Sequence, residues 1–176
     1  MKHASLYKSL LITGLTFLAA LSFSSCKKDN GGGHSSRDKY LTLEVNGKPY
    51  TFNYRVNAND KPSEKEVHFV TVGGQNSEKD TDPAFMFQLV VPDKGAQTGT
   101  YTTANSELHG QYYYQTPNGT VTYLGNGSDG SSFILNITEL SDWGVSGTFS
   151  GVLLRSKTGE LMTITNGKFS APYNGN

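Results

Sequence analysis

Apolar and polar residues alternate with a period of two along most of the chain after Tyr40. This alternation predicts β-strands with one buried face. The first example is residues 41–45, where Leu41, Leu43 and Val45 fall on one side. Asn46 and Gly47 follow, and this dipeptide predicts a tight hairpin because both residues tolerate positive φ. No stretch shows a helical period of convincing length, so the pattern favours an all-β fold.

The same alternation, broken by glycine, proline and asparagine, continues after residues 41–45 and predicts about ten short strands in all. The later ones are residues 48–56, 67–72, 84–91, 99–103, 110–115, 120–124, 132–138, 144–154, 160–165 and 167–170. A turn at Pro117-Asn118-Gly119 and one at Asn166-Gly167 would join two of the pairs. Pro49 has no amide donor and therefore predicts an edge position. Strands at this spacing predict one antiparallel β-sandwich or barrel-like domain over residues 40–176.

The N-terminal residues have a different pattern, with a basic start followed by a short apolar run at 10–21. That run is too short to span a bilayer comfortably and is typical of an export signal. The single cysteine of the chain, Cys26, follows it directly after Ser25. A cysteine at this point predicts a bacterial lipoprotein, with residues 1–25 removed and the Cys26 thiol lipidated. The ordinary secretory signal with an incidental cysteine is the alternative.

Residues 27–39 contain no large apolar side chain and include three consecutive glycines at 31–33. Such a segment cannot bury surface, so it is expected to be flexible. Cys26 and this segment, residues 26–39, would form a tether that holds the domain away from the membrane.

The net charge of the predicted domain limits the kinds of partner that it can bind. From Tyr40 onward the chain has 9 basic and 13 acidic residues, a net charge of −4. This balance argues against nucleic acid, which requires a basic surface. Membrane contact would come from the lipid, since each buried methylene contributes about 0.8 kcal/mol. We therefore expect the protein to lie in the cell envelope, anchored in the outer membrane on either its periplasmic or its outer surface.

No catalytic set emerges from the sequence. A serine nucleophile needs a base in reach, and Ser146 only loosely resembles an elbow serine. His68 and His109 lack the close spacing that zinc ligands show. Calcium could use the polar clusters at 57–60 and 78–82, although both depart from the usual loop spacing, and solvated loops are the simpler interpretation. We expect no catalytic residue, no metal and no cofactor.

Aromatic residues are the remaining signal. In the predicted strand 110–115, Tyr112 and Tyr114 share one face and Tyr113 takes the other. Trp143 follows a predicted turn. Exposed aromatic rings bind sugars or protein partners. Trp143, Tyr112, Tyr113 and Tyr114 are therefore candidate ligand-binding residues, and cross-strand packing is the alternative for the tyrosines.

Several segments carry a family resemblance. They are Cys26-Lys27-Lys28-Asp29, Val45-Asn46-Gly47-Lys48, Ile137-Thr138-Glu139-Leu140, Val145 to Gly151 (VSGTFSG) and Ile164 to Ser170 (ITNGKFS). Together they resemble small lipoproteins of Bacteroidota that carry β-rich domains of unknown function. The resemblance covers most of the chain after the signal and implies a fold and an envelope location. It implies no catalytic residue.

Two functional hypotheses follow from these observations. The first is a non-catalytic envelope lipoprotein that binds a protein partner or helps to assemble an outer-membrane complex. The second is a surface module that binds glycans through exposed aromatic side chains. A small hydrolase that uses His68 or His109 is a third and weaker alternative.

Overall fold

The computed structural model describes residues 38–63 and 66–175, and within these ranges the regular structure is entirely β. The strands, in chain order, are β1 (Tyr40–Val45), β2 (Lys48–Thr51), β3 (Tyr54–Ala58), β4 (Phe69–Gln75), β5 (Ala84–Val90), β6 (Gly99–Thr102), β7 (Glu107–Thr116), β8 (Gly119–Gly125), β9 (Ser132–Leu140), β10 (Gly144–Arg155) and β11 (Glu160–Pro172). The predicted all-β class is confirmed.

All paired strands are antiparallel and belong to one sheet. Its main path runs β2-β1-β11-β10-β8-β7-β5-β4-β3. The long strand β10 divides the sheet, because its residues 145–152 pair with β9 while Leu154 pairs with Leu124 of β8. Strand β6 pairs with the far side of β9. Strand β10 therefore belongs to two branches of the sheet.

The sheet curls until its two ends approach each other. The Asn57 side chain of β3 donates to the Asn174 side chain, just beyond β11, at 2.6 Å. Asp60 and Asn174 form an isolated parallel bridge just beyond β3 and β11. These contacts give the open sheet a barrel-like shape with an inner face that forms the core and an outer face.

Aromatic rings fill the inner face. The Phe85 and Phe149 rings stack with their centroids 4.9 Å apart, and Phe87 meets Phe169 edge to face at 4.9 Å. Pairs of this kind each contribute about 0.5–1.5 kcal/mol beyond the area they bury. Glycine makes room for the rings, because a Cβ at Gly110 would lie 2.5 Å from the Phe133 ring. The core therefore depends on large rings packed against positions without side chains.

The prediction of a single strand over residues 48–56 is wrong. The chain leaves β2 after Thr51 and enters β3 at Tyr54, on the opposite end of the sheet path. Phe52 is fully buried, and the Asn53 side chain accepts a hydrogen bond from the Leu41 amide at 2.9 Å. The Phe52 amide still donates to the Leu41 carbonyl of β1, and pairing with β1 ends at Asn53, whose side chain takes the Leu41 amide. The chain then crosses to β3 at the other edge of the sheet path.

The predicted turn at Asn166-Gly167 is also wrong, because β11 continues through it. Asn166 has φ +53°, and the register shifts there against both β1 and β10. These features define a β-bulge in a strand that has partners on both sides. A Cβ at Gly167 would lie 2.5 Å from the Phe149 ring, which explains a glycine at this point.

Other local predictions are confirmed. Asn46 and Gly47 have φ values of +50° and +78° and form the turn between β1 and β2. Pro49 lies in β2, which is at the end of the sheet path. Strands β7 and β8 are joined through residues 117 and 118, as predicted for the second hairpin.

Candidate functional site

A groove of about 610 Å³ lies on the outer face of β3, β4, β5 and β7. We call it the outer groove. It is lined by Arg55, Asn57, Asn59, Asp60, Phe69, Thr71, Gly73, Gln75, Met86, Tyr113 and Asn174, together with the buried positions Ala58, Gly74 and Phe85. Its volume falls in the range of about 300–1,000 Å³ that is typical of ligand pockets.

Strand register explains why these side chains share one face. Residues directly opposite each other in an antiparallel pair point to the same side of the sheet. Gln75 is opposite Ala84, and Ala84 is opposite Tyr113. Two residues along the strand, Gly73 is opposite Met86. The sequence thus builds the outer groove from alternate positions of three adjacent strands.

Small residues create the depression. Gly73 lies in the middle of β4, and a Cβ there would be 3.4 Å from the Met86 Cβ, an ordinary contact. The missing side chain is therefore not required by packing against the core. Ala84 lies opposite Tyr113, and its methyl group is buried, with 2 % of the residue exposed. The absent side chain of Gly73, which lines the groove, therefore contributes to the depression.

Two aromatic rings mark the ends of the outer groove. Tyr113 is half-buried at one end, and Phe69 is 47 % exposed at the other. Tyr113 lies in the same cross-strand row as Gln75 of β4, and Phe69 is six residues before Gln75 on that strand. Since a strand rises about 3.4 Å per residue, the two rows are about 20 Å apart.

Amide side chains connect β3 to the C-terminal residues along one wall. The Asn57 Nδ2 donates to the Asn174 Oδ1 at 2.6 Å, and the Asn174 Nδ2 donates to the Asp60 Oδ1 at 3.0 Å. The Asn59 Oδ1 accepts from the Thr71 amide at 3.1 Å. These hydrogen bonds hold β3 and the C-terminal residues together beside the parallel bridge. They also occupy one of the acceptor oxygens of Asp60.

One buried polar atom of the groove has no partner. Gln75 Oε1 is the single buried side-chain nitrogen or oxygen without a hydrogen bond among the residues that the structure describes. A buried acceptor left unpaired costs about 1–3 kcal/mol. Because the oxygen is buried, it can accept a hydrogen bond from a ligand only after the Gln75 side chain turns towards the groove.

The predicted tyrosine site divides between the two faces of β7. Tyr112 is 5 % exposed and packs edge to face on Tyr123 with centroids 6.2 Å apart. Burial, together with nearby Tyr50, Tyr114 and Tyr123, raises the pKa of Tyr112 to about 12. Tyr114 is half-buried and packs against the same core cluster. Tyr112 is consequently out of reach of a surface ligand, and Tyr113 is the tyrosine of this run that lines the outer groove.

Trp143 lies elsewhere, in the short connection between β9 and β10. Its carbonyl accepts from the Tyr173 amide at 2.9 Å, and its side chain is half-buried. It is not among the residues that line the outer groove. Trp143 and Tyr113 are therefore not brought together into one site. The predicted lipidation residue, Cys26, is outside the described residues.

The histidines and Ser146 form no catalytic set in the described ranges. The His68 Nε2 is 3.7 Å from Glu66 Oε2, and its Nδ1 is 3.3 Å from the Val91 carbonyl. His109 is half-buried on the outer face of β7. The Ser146 hydroxyl donates to the Ser170 hydroxyl at 3.1 Å and has no histidine partner. In these contacts Ser146 is paired with Ser170 and His68 with Glu66 and Val91, so neither histidine is paired with Ser146.

The two polar clusters considered for calcium make local contacts instead. In the second, the Ser77 hydroxyl donates to Asp82 Oδ2 at 2.6 Å, and Asp80 lies 3.8 Å from the Arg55 guanidinium. Residues 57–60 belong to the amide network described above. Among the described residues, no group of three or more histidine, cysteine or acidic side chains is arranged to hold a metal ion.

The sequence does not identify Phe69, Gly73, Gln75 or Arg55 as parts of a site. The strand predicted over residues 67–72 stops before Gly73 and Gln75, whereas β4 continues to Gln75, and only the pairing of β4 with β5 and β7 places these β4 residues on the same face as Tyr113. Arg55 has φ +53° at an irregular pairing between β3 and β4, and its guanidinium lies 5.0 Å from the centroid of the Tyr54 ring.

Comparison of the chain with protein families, with curated proteins and with solved structures gave no match. Over residues 38–63 and 66–175 there is also no helix with the length and apolar character needed to cross a membrane.

Proposed function

We propose that this protein is a non-catalytic binding module that is attached to the bacterial envelope through a lipid on Cys26. Its ligand occupies the outer groove. The observation that carries the proposal is a groove of about 610 Å³ with an aromatic ring at each end. No pair of groups in the groove is arranged as nucleophile and base, which favours binding over catalysis.

The anchor is supported by the sequence. A basic start, the apolar run at 10–21 and the only cysteine of the chain occur in the order that lipoprotein processing requires. The glycine-rich residues 27–39 would then let the domain reach a ligand away from the bilayer. An outer-membrane protein and a glycan are the two ligand classes that this location makes accessible.

The site is tested by photo-crosslinking in intact cells. Tyr113 is replaced by a benzoyl-phenylalanine residue in the full chain, and Thr148 is replaced in a matched control. Thr148 is exposed on the outer face of β10 and does not line the outer groove. We expect an adduct from position 113 and none from position 148. Absence of an adduct at 113, or equal adducts at both positions, would contradict the proposed site.

A further inference from the structure

We propose that the outer groove binds an uncharged, linear oligosaccharide, with Tyr113 and Phe69 each stacking on a sugar ring. This inference rests on the proposed function and adds the class of ligand. It is carried by three properties of the described residues: the charge of the outer face, the separation of the two rings, and the amide groups between them.

The first property is the near absence of charge on the outer face of β4, β5 and β7. The outward residues are Phe69, Thr71, Gly73, Gln75, Ala84, Met86, Gln88, Val90, Glu107, His109, Gln111 and Tyr113. Glu107, which lies in the same cross-strand row as Phe69, is the one carboxylate among these twelve residues. On the β3 side, Arg55 lies 3.8 Å from Asp80, and Asp60 accepts a hydrogen bond from Asn174. Phosphate or another strong anion requires a cluster of cations, which this face does not offer.

The second property is the arrangement of the rings. Tyr113 and Phe69 are separated by about 20 Å along the strand direction. Each ring presents an apolar face, and the Tyr113 hydroxyl adds a polar end. An extended chain of sugar rings matches two separate stacking surfaces, whereas a single small molecule would reach only one of them.

The third property is the chemistry between the rings. The two rows between the rings carry the amides Gln88 and Gln111 and the hydroxyl of Thr71, beside His109, Met86 and Gly73, and the amide Gln75 lies in the same row as Tyr113. An amide offers donors and acceptors together, as sugar hydroxyls do. When the Gln75 side chain turns towards the groove, a sugar hydroxyl there supplies the donor that its buried oxygen lacks. The amide surface therefore complements a neutral, hydroxyl-rich ligand.

A protein partner fits this pattern less well. Protein interfaces have an apolar centre and a polar rim. Here the aromatic rings are at the ends, and the centre is made of amides, Thr71 and Gly73 around Met86. The apolar groups are thus at the ends and the polar groups in the centre, which is the reverse of their arrangement in a protein–protein interface.

The test is affinity electrophoresis of the lipidated full-length protein in a zwitterionic detergent, which avoids the sugar headgroups of glycoside detergents. The gels contain dextran, hydroxyethylcellulose, galactomannan or arabinoxylan, with polygalacturonate as the charged comparison. We expect at least one neutral polysaccharide to retard the protein and polygalacturonate to have no effect. Tyr113→Ala should weaken that binding by about tenfold, the loss of one stacked ring.

Matched variants separate stacking from folding. Tyr113→Phe keeps the ring and should retain binding within about threefold. Thr148→Ala, on the other branch of the sheet, should bind as the unchanged protein does. The inference is overturned if none of the four neutral polysaccharides retards the protein, or if retardation survives Tyr113→Ala unchanged.

Failure of this inference can be distinguished from failure of the proposed function. If no polysaccharide binds but position 113 crosslinks to a protein in cells, the groove is a binding site with a different ligand. If no polysaccharide binds and position 113 gives no adduct, both the ligand class and the site are wrong.

Discussion

The adjacent glycines of β4 provide a matched test of which face is core and which is groove. A Cβ at Gly74 would collide with the Phe52 carbonyl oxygen and lie 3.1 Å from Leu41 Cδ2 and 3.2 Å from Val56 Cγ2. At Gly73 the nearest atom would be the Met86 Cβ at 3.4 Å. Only the second site has room for a methyl group.

These distances translate into opposite effects on stability. Gly74→Ala overpacks the core against backbone and should lower the free energy of unfolding by about 1–3 kcal/mol. Gly73→Ala meets no obstacle and should raise it by about 0.4–1 kcal/mol, because alanine restricts the unfolded chain. The two variants should therefore differ by about 1.5–4 kcal/mol.

Thermal and urea unfolding followed by circular dichroism measures this difference. Each kcal/mol corresponds to a change of about 3–5 °C in Tm for a domain of this size. We expect a lower Tm for Gly74→Ala and an equal or higher Tm for Gly73→Ala. Equal destabilisation by both substitutions, or a larger loss at Gly73, would refute the assignment of the two faces.

Three further predictions concern the core and the anchor. Phe149→Ala should lower the free energy of unfolding by about 3–5 kcal/mol in urea titrations, since Phe149 is 4 % exposed and stacks on Phe85; a loss under about 1 kcal/mol would contradict the aromatic core. The raised pKa of Tyr112 means that its contribution to stability is complete below pH 10 and is lost as pH rises towards about 12, because the unfolded chain ionises first. Tyr112→Phe should flatten this alkaline decline, and an unchanged pH profile of unfolding would count against burial of the phenol. Cys26→Ala should abolish incorporation of labelled palmitate in growing cells, whereas retained label would place the lipid on another residue.

The sequence predicts the strands better than it predicts their connections. Asn46-Gly47 and Asn166-Gly167 are the same dipeptide, yet the first is a hairpin turn and the second a bulge. The difference is tertiary, because β11 pairs with β1 and β10 on its two sides and cannot reverse there. The ring of Phe149 over Gly167 is likewise invisible to a local pattern.

The candidate site was only partly accessible from the sequence. Alternation within one strand separates Tyr113 from Tyr112 and Tyr114, and the structure agrees with this division. The grouping of Tyr113 with Phe69 and Gln75 depends on the order of β4, β5 and β7 in the sheet, which alternation does not encode. Residue type alone links Trp143 to the tyrosines, whereas its position near Tyr173 follows from the packing of the C-terminal residues.

Filling the outer groove is the most direct test of the claim that it binds the ligand. Gly73→Val would project a β-branched side chain, which strands accommodate, into the groove beside Met86. The yield of crosslinked adduct from position 113 is then measured in cells, with Tm recorded for the same variant. We predict that the adduct is lost while Tm is maintained, and an undiminished adduct in a folded Gly73→Val protein would contradict the account.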